Sequence, residues 1–105
     1  MKPKKVNILG VEYKVIYCDK PSDVDHMGRE SLWGGMDPWT RIIRIYDNGR
    51  PDEDIWQTII HEVLHAIDDS LHLNIDKEDK GDERLDMLAL ALSDVLFRNR
   101  WIRNE

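Results

Sequence analysis

Two histidines with a glutamate between them stand near the middle of the chain, in His61-Glu62-Val63-Leu64-His65. Four residues apart on a helix, His61 and His65 project from one face, where two imidazoles can share a zinc ion. Glu62 lies about 100° around the helix from His61, too far to join the same ion easily. It is placed instead to take a proton from water bound to that ion, the work of a general base. Zinc brings the pKa of such water toward neutrality, so the pattern points to hydrolysis of a carbonyl compound. The five-residue pattern is short, so its context carries weight.

That context begins with the helix itself. Pro51-Asp52-Glu53-Asp54 has proline and acids where a helix begins, at the positive end of its dipole. Ile55, Ile59, Val63, Ala66, Ile67 and Leu71 follow at helical spacing, which predicts a helix over 52–73. Upstream, residues 2–18 read as a β-hairpin turning at Gly10. Val11, Tyr13, Val15 and Tyr17 alternate there with Glu12, Lys14 and Ile16. Residues 19–40 form a long connection punctuated by Pro21, Gly28, Gly34, Gly35 and Pro38, and its Trp33–Met36 stretch is a candidate lid. A third strand is expected over 41–46, followed by a turn at Asp47-Asn48-Gly49-Arg50. Downstream, a charged connector leads to a second helix over 82–99. Met87 to Leu92 is apolar on every side, which predicts a largely buried element. The expected fold is α+β: a three-stranded antiparallel meander packed on the histidine-bearing helix and a second long helix.

The whole composition agrees with one small domain. The chain has 105 residues, 41% of them hydrophobic and 34% charged, which matches one compact globular unit spanning 1–105. A net charge of −6, from 15 basic and 21 acidic residues, argues against a nucleic-acid partner. Lys2, Lys4 and Lys5 at one end, and Arg98, Arg100 and Arg103 at the other, read as solvated termini. Cys18 is the single cysteine, so no internal disulfide and no zinc ribbon can form, and it reads as a strand-end packing residue. With no apolar run of signal-peptide or membrane-spanning character, a reducing cytoplasm is the expected compartment and no membrane partner is expected. The four tryptophans Trp33, Trp39, Trp56 and Trp101 are expected to supply core or lid packing.

Three strands, then His61-Glu62-Val63-Leu64-His65, then a helix opening with Glu83-Arg84-Leu85-Asp86-Met87-Leu88-Ala89, resemble the small phage and prophage zinc metallopeptidases. The order is similar in outline to the SprT-like and ImmA/IrrE-type zincin domains, over about residues 6–99. The resemblance implies a minimal zincin fold, zinc, hydrolysis of peptide bonds and a protein or peptide substrate. It further implies a third ligand. A metzincin-like arrangement would need glycine at position 68 and histidine at position 71, where Asp68 and Leu71 stand, and His72 misses the register by one. A gluzincin-like arrangement takes a glutamate from the following helix, which favours Glu83, 18 residues after His65. Asp86, Asp82, Glu78, His72 and Asp68 compete for that role. Asp68 and Asp86 are also candidates to orient a ligating imidazole. Tyr46, His26 and His72 are conceivable oxyanion donors. On the peptidase reading, substrate would pair as an added strand with the edge strand 41–46. The alternative is a noncatalytic zinc-binding interaction module of phage type.

Overall fold

The computed structural model describes residues 2–25 and 33–102. Strands β1 (Lys5–Ile8), β2 (Val11–Cys18), β3 (Gly34–Asp37) and β4 (Ile42–Tyr46) precede helices α1 (Asp52–Leu71) and α2 (Gly81–Arg98). Short 3-10 turns sit at Pro21–Asp23 and Ile75–Lys77. The class is α+β, as the residue pattern predicts, but the sheet is not a three-stranded antiparallel meander. Among the described residues it has four strands, in the order β1-β2-β4-β3. β1 and β2 form the expected hairpin, with Gly10 at φ 86° in the turn. β2 and β4 then run parallel, from Lys14 opposite Ile42 to Cys18 opposite Tyr46. The long connection makes this possible by leaving β2, crossing to the far side of β4 and returning as β3, antiparallel to β4. Parallel neighbours need such a crossover, which a simple meander lacks.

Two expectations change with this topology. Residues 19–40 are not loop throughout, because Gly34–Asp37 is a strand rather than a lid. Strand 41–46 is not an edge either, because β2 and β3 flank it; the edge on that side is β3. Trp33 O accepts from Tyr46 N at 2.9 Å, and Asp37 O accepts from Arg41 N at 2.9 Å. Strand alternation therefore turns the backbone N–H and C=O of Gly34 and Met36 away from β4, toward the side of β3 that pairs with no strand among the described residues.

α1 lies across this sheet. Ile55, Ile59 and Ala66 pack with Ile8, Tyr13, Val15, Ile43 and Ile45 into one core, lined further by Met36, Trp56, Val63 and Ile67. Trp56 thus supplies core packing, whereas Trp39 and Trp101 are exposed. α2 packs mainly on α1 and on the 75–77 turn, away from the sheet. It is not largely buried. The stripe Gly81, Leu85, Ala89 and Ser93 is buried, Leu96 and Phe97 are half-buried, and Met87, Leu88, Leu90, Leu92 and Val95 face outward. Small residues fill the contact with α1, so most of the large apolar side chains fall outside it. No helix among the described residues is long and apolar enough to cross a membrane.

Candidate metal centre

α1 ends where His72 adopts a left-handed conformation at φ 53° and donates its N–H to Asp68 O and Asp69 O. The chain then reverses through Asn74 and Lys80, also left-handed, and starts α2 antiparallel to α1. Asp68 secures the reversal. Its buried carboxylate accepts from Ile75 N at 2.9 Å and Asp76 N at 3.1 Å. Burial pushes its pKa upward, but these donors and nearby His65 outweigh burial and hold it below the ordinary carboxylate range. Asp68 is thus committed to the connector rather than to orienting an imidazole. Asp68→Ala would strand two backbone donors, at a cost of about 1–3 kcal/mol. That lowers the melting temperature by roughly 4–20 °C for a domain of this size. Because the folded pKa is depressed, this stabilisation is present above the unfolded value of about 3.9 and disappears as pH falls through the folded one. Melting curves of wild type and Asp68→Asn should therefore converge in strong acid; a constant gap across pH would contradict the assignment.

The reversal sets the first turn of α2 beside the histidine face of α1. His61 Nε2 and His65 Nε2 are 3.0 Å apart. Asp82 Oδ1 lies 3.3 Å from the first and 2.8 Å from the second. Among the described residues, His61, His65 and Asp82 are the group whose ligand atoms converge closely enough to hold a metal ion. Two ligands at tetrahedral angles, each 2.0–2.1 Å from a zinc ion, would stand roughly 3.3 Å apart, so the trio needs only small outward adjustments. His61 Nδ1 is 3.1 Å from Asp86 Oδ1, which accepts its proton in the Nδ1–H tautomer and leaves Nε2 free as a donor to metal. Asp86 is thus the carboxylate placed beside the His61 ring.

Glu83, the glutamate favoured from the family resemblance, does not join the trio. It lines the same cleft, and the carboxylate that meets the imidazoles belongs to Asp82, one residue earlier. Adjacent positions on a helix differ by about 100°, so a one-residue change of register decides which carboxylate meets the imidazoles and which lines the wall. Burial pushes the Asp82 carboxyl upward, but the two imidazoles more than compensate and hold it below the ordinary range.

Glu62 is buried on the adjacent face of α1, and desolvation raises its pKa to about 6 against the pull of His61 and His65. No hydrogen bond holds its carboxylate among the described residues, and the side chain lines the cleft. Its neighbour across the cleft is the edge strand. A Cβ on Gly34 would stand 2.6 Å from Thr58 Cγ2 and 3.0 Å from Glu62 Oε2, so only glycine lets β3 lie this close to α1. The cleft has a volume of about 650 Å³.

Its far end is built by Arg50, to which the residue pattern assigns no role. Arg50 Nη1 donates to Tyr46 O at 2.6 Å, and Nη2 donates to Thr58 Oγ1 at 2.7 Å and Asp54 O at 3.1 Å. The guanidinium stacks on Trp33, 4.3 Å from the ring centroid, and so ties the end of β4 to α1. Its ability to bind its neighbours follows from the planar fork of donors, which a motif search does not detect. Tyr46 packs edge-on to Trp33, and His72 serves as the α1 cap outside the cleft. His26 lies outside the described residues. Cys18 is buried at the end of β2, and burial pushes its thiol upward, away from nucleophile chemistry. Compared with protein-family models, curated proteins and solved structures, the chain matches none, so the likeness to phage zinc peptidases stands on its motif residues alone.

Proposed function

We propose that this protein is a zinc-dependent peptidase of minimal zincin type, with His61, His65 and Asp82 as ligands and Glu62 as general base. One observation carries the reading: two imidazole Nε2 atoms and a carboxylate oxygen meet within 3.3 Å, in the same cleft as a buried glutamate. Two nitrogens and one oxygen form a catalytic rather than a structural donor set, because three protein ligands leave a position for water. When bound, the ion would acidify that water and polarise the scissile carbonyl. Glu62 would accept the water proton, which a carboxyl with a pKa near neutrality does well, and return it to the leaving amine. Asp86 would keep His61 in the tautomer that presents Nε2. An extended peptide would pair with the outward N–H and C=O groups of Gly34 and Met36 on β3, the edge beside the cleft.

Metal analysis tests the ligand set. Purified protein should carry about one zinc per chain. His61→Ala, His65→Ala and Asp82→Ala should each weaken zinc binding by more than the ~10–100-fold typical of an outer-sphere partner. Asp86→Asn should fall within that range, and Glu83→Gln should change affinity little. Loss of zinc in Glu83→Gln with retention in Asp82→Ala would restore Glu83 and overturn the assignment. Equal, negligible zinc in wild type and the histidine variants would remove the metal altogether.

A further inference from the structure

The metal cleft opens into a second cavity. This cavity, of about 880 Å³, lies between the first turns of α1 and the last turns of α2. Asp54 and Gln57 line both, so the two form one continuous groove that runs from the imidazoles toward the start of α1. Gln57 and Glu53 stand about 6 and 12 Å before His61 along the helix axis. An extended peptide covers that distance in about two to four residues. The edge strand leads the same way. Gly34 lies against Thr58, next to Gln57, so a peptide paired with β3 leaves it where the groove continues.

Two polar side chains in this cavity have no partner of their own. Ser93 is 5% exposed, lines the cavity and makes no hydrogen bond among the described residues. Gln57 is half-buried, and its amide likewise makes none. The remaining walls set the chemistry of an occupant. Leu90 and Phe97 are apolar, and Glu53 and Asp54 present carboxylates on the α1 side. Of the two guanidinium groups, Arg98 is held by Asp94 at 2.7 Å, and Arg100 stands beyond the end of α2. Nearer the imidazoles, Glu83 adds a carboxylate with no hydrogen bond or ion pair among the described residues. An apolar wall beside carboxylates suits a long aliphatic side chain with a cationic head.

We infer that this cavity is a subsite of the metal cleft, taking a lysine or arginine side chain of a bound peptide about two to four residues from the bond to be cut. The inference rests on the peptidase reading of the cleft, and two measurements keep them separate. The first reads binding without hydrolysis. Zinc-treated Glu62→Gln protein is titrated with tetralysine and with tetraglutamate, and its backbone amides are followed by nuclear magnetic resonance. Tetralysine should shift Asp54, Gln57 and Ser93 saturably, and tetraglutamate should not. Adding Glu53→Gln and Asp54→Asn should weaken tetralysine binding by ~5-fold, the effect of two exposed charge pairs. The second reads cleavage. Cut sites made in unfolded casein by zinc-loaded wild type, mapped by mass spectrometry, should be enriched ~3-fold in lysine or arginine at one position two to four residues away. The Glu53→Gln, Asp54→Asn chain should keep cutting and lose that enrichment. Uncut casein, with tetralysine bound at these residues, fails the peptidase reading alone and keeps the cavity as a site for basic side chains. Cutting without the enrichment, with no shift at Gln57 and Ser93, fails the subsite alone. Equal shifts with tetraglutamate overturn the choice of a basic side chain.

Discussion

Glu62→Gln is expected to reduce peptide hydrolysis by ~10²-fold or more while zinc content is unchanged. The substitution preserves size and helix propensity and removes only the capacity to take a proton. The effect on stability should have the opposite sign from most core substitutions. Burial raises the Glu62 carboxyl to about 6, so above that pH the folded protein holds an ionised group that water would hold more cheaply. For an acid with a raised folded pKa, the penalty is absent below the unfolded value of about 4.3 and grows as pH rises through that value toward the folded one. The metal-free variant should therefore melt no lower than metal-free wild type at pH 7.5, and higher if the penalty approaches the order of 2 kcal/mol that the shift implies. Proteolysis undiminished in the variant would show that another group activates the water. A zinc-loaded wild type that cleaves none of a broad panel of unfolded proteins and peptides would point to a noncatalytic zinc-binding module.

Gly81→Ala should destabilise the protein strongly, against the simple helix expectation. In a helix interior, alanine is favoured over glycine by about 1 kcal/mol. Here a Cβ would stand 1.8 Å from Ile75 O, and 2.7 Å from the carbonyl carbon that bears it. Both are backbone atoms of the turn that Asp68 anchors, so neither a rotamer change nor a flexible tip relieves the clash. Either the 75–77 turn or the start of α2 must move by an ångström or more, and Asp82, the next residue, moves with it. We expect a net loss of about 1–3 kcal/mol, the range of overpacked sites, together with at least tenfold weaker zinc binding. Thermal melts of the metal-free protein and zinc titration read the two effects separately. A more stable variant with unchanged zinc affinity would show that the close approach is unnecessary.

How far the sequence predicts this arrangement depends on which physical signal each part leaves. α1 is legible because its apolar residues repeat at helical spacing after an acidic start, and the two histidines can be placed on one face from that spacing. β1 and β2 are legible from alternation around Gly10. β3 is not, because its Gly-Gly-Met-Asp sequence has low strand propensity and is held by β4 and by proximity to α1. Missing β3 hides the parallel pairing of β2 with β4, and so misplaces the sheet edge. For α2, composition alone suggests burial on all sides. The buried stripe uses Gly81, against the 75–77 turn, with Ala89 and Ser93 besides Leu85, and a hydrophobicity pattern gives those small residues little weight. The third candidate ligand turns on helix register. Whether Asp82 or Glu83 meets the imidazoles depends on three left-handed residues, His72, Asn74 and Lys80, that aim the returning helix. None is a glycine; asparagine and histidine adopt this conformation more readily than most residues, but neither type marks the turn as glycine would.

The candidate ligands straddle the joint between the helix that packs on the sheet and a helix that lies outside the sheet core. His61 and His65 belong to the helix embedded in the sheet core, whereas Asp82 belongs to a helix supported mainly by one neighbour and a short turn. An element with a single supporting face opens at lower free energy than the core it leans on. Any ion held by all three residues would have to be released before α2 could detach, and would favour the closed form according to its concentration relative to its dissociation constant. The site would then join two otherwise separable units into one cooperative whole, and metal supply would govern how readily the protein is degraded as well as what chemistry it performs.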